Sequence, residues 1–523
     1  MASAQVESLA GLIRGTAEDG VLAWRGIPYA APPVGPLRFR PPSPVKPWPG
    51  VRDATRYGPQ AVQFTGTPRP NDEADEGDED CLTLNVWAPA AATGPVPVLF
   101  WIHGGAFLHG SGRLYDGAHL ARRGEVAVVT LNYRLGPLGF NGPAGTANPA
   151  LLDLVAALEW VRDNIAAFGG DPGRVTLSGQ SAGGMLTSTL LAVPAARGLF
   201  HRALVLSGSA RNVHSRAQGE ETARRLRAAL GAPGATPEKL TGLPVQALRE
   251  AAAQVVAGAG DAVLRGDDFR PVVDGDVLPR APLAAVADGE ARGIPLWISH
   301  VRHEMDIFLG DRPAQADPAG EAAPPSRGGT GGRPPGERSL GTPPAPPVPL
   351  VPGTDAAGRD RLGDGRWTAL GDAYAATAEP GRDPHLDLLD DAMWWLPAIR
   401  LAEAQHAAGG QVWFSRFDHT PGMPPYDRLG PTHGADNRCL WGSPPVFNNL
   451  QGLPPAPPMG PADLVVTEQL QAAVLGFVRG EAPDWPAYEP GGDRATRIFQ
   501  DPARVENDPR RERRLLWRDL PEV

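Results

Sequence analysis

Gly179-Gln180-Ser181-Ala182-Gly183 has the form G-x-S-x-G. Residues 175–177, Val-Thr-Leu, have strand character, and residues 182–192 read as a helix. A strand that turns directly into a helix strains its corner residue, and small neighbours let the two elements approach. At such a corner the Ser181 hydroxyl projects from the carboxyl edge of a sheet, and the N–H groups after it face any developing anion. The chemistry would be nucleophilic attack on a carbonyl carbon, once a base takes the hydroxyl proton and a third group orients that base. The anion formed on the carbonyl oxygen needs fixed donors, and backbone N–H groups of Gly104, Gly105 and Ala182 can supply them. A side chain at the glycine pair would block close approach of the reacting carbonyl. The bare G-x-S-x-G string also occurs in ordinary turns, so the strand before it and the partners below carry the reading.

Residues 168–184, FGGDPGRVTLSGQSAGG, resemble as a whole the serine signature of the type-B carboxylesterase family, the carboxylesterase and cholinesterase group. Residues 79–89, EDCLTLNVWAP, resemble its second signature, and residues 26–42, GIPYAAPPVGPLRFRPP, resemble its amino-terminal region. The resemblance covers nearly all of the chain outside about 310–365. It implies an α/β-hydrolase fold, a mostly parallel twisted sheet flanked by helices, built as one elaborated domain over 1–523. It also implies a serine esterase that works through an acyl-enzyme, with the acid and then the base downstream of the serine. The family's acid follows a strand, which puts Glu304 of HVRHEMD at the matching position and leaves Asp306 as an alternative. His433, in GPTHGAD, matches the family's base. Phe107, Gln180, Ile307 and Phe308 would line the pocket by the same resemblance, with Trp394 and Trp395 as further candidates; core packing is an equal reading for the apolar ones. His103 reads as a support for the glycine loop. Gln180 stands where relatives often carry Glu, and Leu154 where they often carry Gln. Relatives also bridge the cysteine matching Cys81 to one upstream, but none precedes it here. The implied substrate is a small or medium apolar ester, aryl, p-nitrobenzyl or carbamate. The rival reading is a catalytically silent binding protein on the same fold.

The elements that must position these residues alternate. Residues 96–102 form an apolar run suited to a buried parallel strand that opens into the glycine loop, and 126–131 form another. Asn148 and Pro149 start a helix in which Leu151, Val155, Leu158, Val161 and Ile165 recur at helical spacing. Strand character returns at 203–206, 295–299 and 411–417, and helical character at 386–408. This alternation predicts α/β architecture. Residues 310–365, rich in Pro, Gly, Ala and Arg, read as an insertion outside the packed core. The acidic run at 71–80 reads as a solvated loop.

The 523 residues carry a formal net charge of -10 and no basic cluster, which argues against nucleic acid as a partner. No apolar run is long enough to span a membrane. The first 25 residues lack the basic start and apolar core of a secretory signal, and with two cysteines at most one disulfide can form; the expected home is the cytoplasm. A metal reading from His300, His303 and Glu304 is weak, because two histidines three apart on a loop have no third ligand in sight and H-E-x-x-H is absent, so neither metal nor cofactor is expected. Oligomeric state has no signature in the sequence.

Overall fold

Every residue of the run 96–102 is buried, and its side chains divide with the strand period of two. Val98, Phe100 and Ile102 join one apolar core, while Leu99 and Trp101 join the core on the other face. The run 296–301 divides in the same way, with Leu296 and Ile298 on one face and Trp297 and Val301 on the other. A sheet buried on both faces is what a mostly parallel sheet under two helical layers requires. The computed structural model has that architecture; it describes residues 3–64, 77–145, 147–257, 268–309, 359, 362–378, 382–420, 430–442 and 458–520.

Its strands are β1 (Ser3–Ser8), β2 (Gly11–Glu18), β3 (Val21–Pro28), β4 (Val51–Asp53), β5 (Thr83–Pro89), β6 (Val96–Ile102), β7 (Ala127–Leu131), β8 (Gly170–Gln180), β9 (Arg202–Leu206), β10 (His214–Ser215), β11 (Val272–Val273), β12 (Leu296–Val301), β13 (Val412–Phe417), β14 (Ala495–Phe499) and β15 (Arg504–Asn507). The main sheet runs β1-β2-β3-β5-β7-β6-β8-β9-β12-β13-β14-β15, with β4 beside β2. From β7 through β14 every neighbouring pair is parallel. Antiparallel strands extend both edges. The expected α/β-hydrolase fold is therefore present, and β8, the strand that leads to Ser181, lies inside the parallel block between β6 and β9.

The helix expected after Asn148 spans Pro149–Asn164, and Leu151, Val155, Leu158 and Val161 are buried on it. Ile165 falls in the 3-10 turn Ile165–Phe168 that follows. The helical run 386–408 is divided: helix Pro384–Asp390, a π-helical turn Asp391–Trp395, then helix Leu396–Ala407. The insertion read at 310–365 lies mostly outside the described residues, as does the part of the acidic run at 71–76. Helix Asp364–Thr377 begins at the insertion's far end and buries Trp367, Leu370 and Tyr374, all beyond residue 365. Cys81 and Cys439 are free and buried, in the cores on opposite faces of the sheet. Among the described residues no helix is long and apolar enough to cross a membrane.

The helix Ala182–Leu190 lies hard against the strand ends. A Cβ on Gly183 would sit 2.0 Å from the Ile102 carbonyl oxygen, and one on Gly184 would sit 2.6 Å from that of Leu206. Both obstacles are backbone and cannot swing aside. Gly183→Ala is expected to cost about 1–3 kcal/mol through forced separation of strand and helix, read as a lower urea midpoint at unchanged slope. An unchanged midpoint would mean that this contact is not close-packed in solution.

Candidate active site

Strand β8 ends at Gln180 and the helix begins at Ala182, so Ser181 alone makes the turn, at φ 59° and ψ −128°. That conformation costs a non-glycine residue about 1–3 kcal/mol and persists only where the surroundings fix it. Here the Ser181 N–H donates to the Leu206 carbonyl at 3.0 Å, and the Ser181 carbonyl accepts from Met185 N–H at 2.9 Å. Ala182, as the first helical residue, has an N–H with no intrahelical acceptor.

The loop after β6 lies against this corner. A Cβ on Gly104 would reach 3.0 Å from Ser181 Cβ and 2.7 Å from the Gln180 carbonyl oxygen, so the Gly104 backbone lies directly on the serine. Gly105 has φ +121° and no room for a Cβ, which would fall 2.0 Å from the His109 carbonyl oxygen. Ala106 and Phe107 also have positive φ, and Phe107 is buried edge-on to Phe140. His103 supports the loop as expected. Its Nδ1–H donates to the Gly104 carbonyl at 2.8 Å, its own carbonyl accepts from Tyr133 Oη at 2.9 Å, and its ring stacks on Tyr133 at 4.5 Å. Burial pushes the His103 imidazole down to about 4, so the ring is neutral near pH 7.

Glu304 and His433 meet across the carboxyl ends of β12 and β13. Glu304 Oε2 lies 2.5 Å from His433 Nδ1, and Oε1 accepts from Val301 N–H at 2.9 Å. The two loops are paired through their backbones, with His303 N–H donating to the Pro431 carbonyl at 3.1 Å. A carboxylate on Nδ1 places the proton there and leaves Nε2 as the basic atom. That atom is 3.2 Å from the amide nitrogen of Gln180, the neighbour of Ser181. The Gln180 carbonyl oxygen in turn accepts from Asn437 Nδ2 at 3.0 Å. Gln180 is thus bonded to His433 as well as adjacent to the serine. Asp306, the alternative acid, is engaged elsewhere: both its oxygens pair with Arg382, at 3.0 and 2.8 Å.

Aromatic rings and ion pairs clamp this pair of loops. Phe308 and Trp394 stack on one another, and each packs against the His433 ring, at 5.2 and 4.5 Å between centroids. Ile307 is buried beside Phe308 in the same turn. Met305 N–H donates to Asp390 at 2.6 Å, and Asp390 pairs with Arg382 at 2.5 Å. Arg510 reaches back from the carboxyl-terminal segment to Asp391 at 2.6 Å and to the Arg302 carbonyl at 2.8 Å. His303 is pushed down to about 2 by burial and by Arg382, so it adds no charge beside Glu304. Among the described residues no cluster of three His, Cys, Asp or Glu side chains is placed to hold a metal ion.

Three participants were not identified from sequence. Asp436 closes the GPTHGAD motif and Asn437 follows it, neither with a pattern of its own that marks a role. Asp436 is buried with both oxygens unpartnered among the described residues, and burial followed by the nearby Glu304 charge pushes it up to about 7. Asp390 had a usable signal: carboxylates 387, 390 and 391 interrupt an otherwise apolar helical run, which demands buried partners.

The model of the carboxylesterase family matches residues 2–323. The chain is 37% identical to the para-nitrobenzyl esterase of Bacillus subtilis (strain 168) over 527 residues, 96% of each chain. It is 42% identical to the phenmedipham hydrolase of Pseudarthrobacter oxydans over 302 residues, 55% of this chain and 59% of that one. A thermophilic PNB esterase superposes with a TM-score of 0.81 at 35% identity, over 98% of this chain and 99% of its own. The Geobacillus stearothermophilus carboxylesterase superposes with a TM-score of 0.78 at 33% identity, over 98% and 100%.

The neutral His103 makes a stability prediction. Unfolded, an imidazole titrates near 6.5; folded, this one titrates near 4, so between those values the unfolded chain binds the extra proton and stability falls as pH falls. The unfolding free-energy difference between wild type and His103→Asn is expected to shrink by about 2–3 kcal/mol from pH 7 to pH 4.5. A difference constant across that range, measured by urea titration, would mean that His103 is not buried as described.

Proposed function

The chain belongs to the carboxylesterase family and is a carboxylic ester hydrolase, and from that premise we propose that Ser181, His433 and Glu304 form its catalytic triad. The observation that carries this reading is the chain of contacts Val301, Glu304, His433, which leaves Nε2 as the unprotonated, basic atom, beside Gln180 at the Ser181 corner. Ser181 Oγ attacks the ester carbonyl carbon while His433 Nε2 takes its proton. The carbonyl oxygen, now an anion, faces the N–H groups of Gly104, Gly105 and Ala182. The bond to the alcohol then breaks, and the proton on Nε2 goes to the departing oxygen. Water attacks the acyl-enzyme with His433 again as base, and the acid leaves as Ser181 regains its proton. Glu304 holds the Nδ1–H tautomer and stabilises the imidazolium. Each oxyanion donor is worth roughly a hundredfold to a thousandfold in rate.

For substrate we propose a small to medium apolar ester, with aryl, p-nitrobenzyl and carbamate esters as the leading class. The Phe308–Trp394 pair gives the base an apolar flank, and relatives are named for p-nitrobenzyl and phenmedipham hydrolysis. We further propose one α/β-hydrolase domain spanning the chain, since its sheet draws strands from Ser3 to Asn507. A cytoplasmic home suits its two separate, buried thiols.

Hydrolysis of p-nitrophenyl butyrate by the full chain is expected to fall about a millionfold in kcat in Ser181→Ala and about ten-thousandfold in Glu304→Gln. Asp306→Asn keeps turnover, because Asp306 serves Arg382 and not the base. A folded wild-type chain without turnover, or turnover indifferent to Ser181, would overturn the triad and favour the silent binding protein.

A further inference from the structure

We infer that Gln180 is a positioning residue for the base: its amide holds His433 Nε2 unprotonated, and because it cannot accept the proton that Nε2 later gains, it directs that proton to the leaving alcohol. The inference rests on the proposed role of His433.

The geometry fixes the direction of every bond in the chain. Glu304 Oε2 on Nδ1 requires the ring proton to be there, so in the neutral imidazole Nε2 is an acceptor. The Gln180 group 3.2 Å from Nε2 must then be its NH2, a donor. Asn437 fits the same choice, because its Nδ2 donates at 3.0 Å to the Gln180 side-chain carbonyl oxygen, which leaves the amide nitrogen toward the histidine. Gln180 is buried and bonded at both ends.

This bond changes sign during the reaction. When Nε2 takes the Ser181 proton, two donors face each other, Nε2–H and the Gln180 NH2, and their attraction is lost. Gln180 therefore favours the neutral ring, opposite to Glu304, which favours the imidazolium. The proton on Nε2 finds no acceptor in Gln180, and its partners are Ser181 Oγ and the oxygen of the departing alcohol. A carboxylate at position 180 would reverse both effects: it could not donate to the bare Nε2, and it would hold the proton in an ion pair. The other groups that bear on the ring are Glu304 on Nδ1, the uncharged faces of Phe308 and Trp394, and Asp436 on the ring's own loop-helix segment, which acts through its charge. Asp436 is held near 7 and would titrate in the same window, so it has to be removed from the measurement.

The test compares Gln180→Glu and Gln180→Met with wild type, each in an Asp436→Asn background, by kcat/KM for p-nitrophenyl butyrate from pH 5 to 9. Turnover needs the unprotonated base, so anything that favours the imidazolium moves the acid limb to higher pH. Gln180→Glu is expected to move it by about one unit or more. Gln180→Met, which lacks donor and charge, is expected to move it less but in the same direction, and KM changes little in either. An acid limb that stays in place in Gln180→Glu overturns the inference, as does a fall in rate that is uniform across pH. A limb that moves in Gln180→Glu alone reports an added charge, not a lost donor, and overturns it too. Labelling of Ser181 by diisopropyl fluorophosphate separates the two levels: an unlabelled wild type sinks the triad and this role with it, whereas a labelled enzyme with an immobile limb sinks the Gln180 role alone.

Discussion

The left-handed backbone at Ser181 is the constraint on which the rest of the site depends, and it does not stand alone. Strands β6, β8 and β9 are neighbours in the parallel block, and just beyond each lies a non-glycine residue at positive φ: Ala106 and Phe107 after β6, Ser181 after β8, Ser207 after β9. Strain of this kind costs about 1–3 kcal/mol at each position, so three adjacent strand ends concentrate it at one edge of the sheet. The parallel pairing and the two buried faces hold the strands whatever their ends do, which is why the strain can persist. Glycines make the arrangement sterically possible. A Cβ on Gly208 would fall 2.4 Å from the Gly184 carbonyl carbon, and one on Gly179 would fall 2.5 Å from that of Gly183.

The proposed acid and base depend on a different device. Glu304 and His433 sit on loops, and loops need restraint before a 2.5 Å contact between them can be held. The restraint comes from three directions: the backbone pairing of His303 with the 431–432 segment, the Phe308 and Trp394 rings, and the ion pairs of Arg382 and Arg510 with Asp306, Asp390 and Asp391. Buried ion pairs are weak as net stabilisers, because desolvation offsets much of their attraction. They are exacting about geometry, since a displaced partner leaves a buried charge alone. Arg382 is therefore better understood as fixing where the Glu304 loop lies than as raising overall stability, and Arg510 ties the same loop to the far end of the chain.

What the sequence made legible was local. The corner at Ser181, the β6 run and the helix Pro149–Asn164 each announce themselves within about 15 residues, by periodicity and by small residues at a turn. Glu304 and His433 are 129 positions apart, and nothing in either neighbourhood says that they touch; only the family pattern paired them. The proposed preference for Glu304 over Asp306 was likewise not local, because it rests on the pairing of Asp306 with Arg382, 76 residues away. The helix Asp364–Thr377 was missed because its Ala- and Gly-rich composition hid a sparse apolar face, in which Trp367, Leu370 and Tyr374 recur at helical spacing. Gln180 was read as pocket lining, since its bonds to His433 and Asn437 exist only after residues more than 250 positions away fold onto it.

His103 shows how a local contact can orient a proposed oxyanion donor. In a trans peptide the carbonyl and the following N–H point in opposite directions. By binding the Gly104 carbonyl, the neutral His103 turns that peptide so that the Gly105 N–H points away from it. Its lack of charge matters, because a charged ring would have to be desolvated at great cost in the same buried place. The bond also explains Gly110, where a Cβ would strike both members, 2.4 Å from the Gly104 carbonyl oxygen and 2.5 Å from His103 Nδ1. The orientation of one proposed oxyanion donor thus depends on a buried histidine and on Gly110, seven residues after it, which leaves room for the bond between His103 and the Gly104 carbonyl.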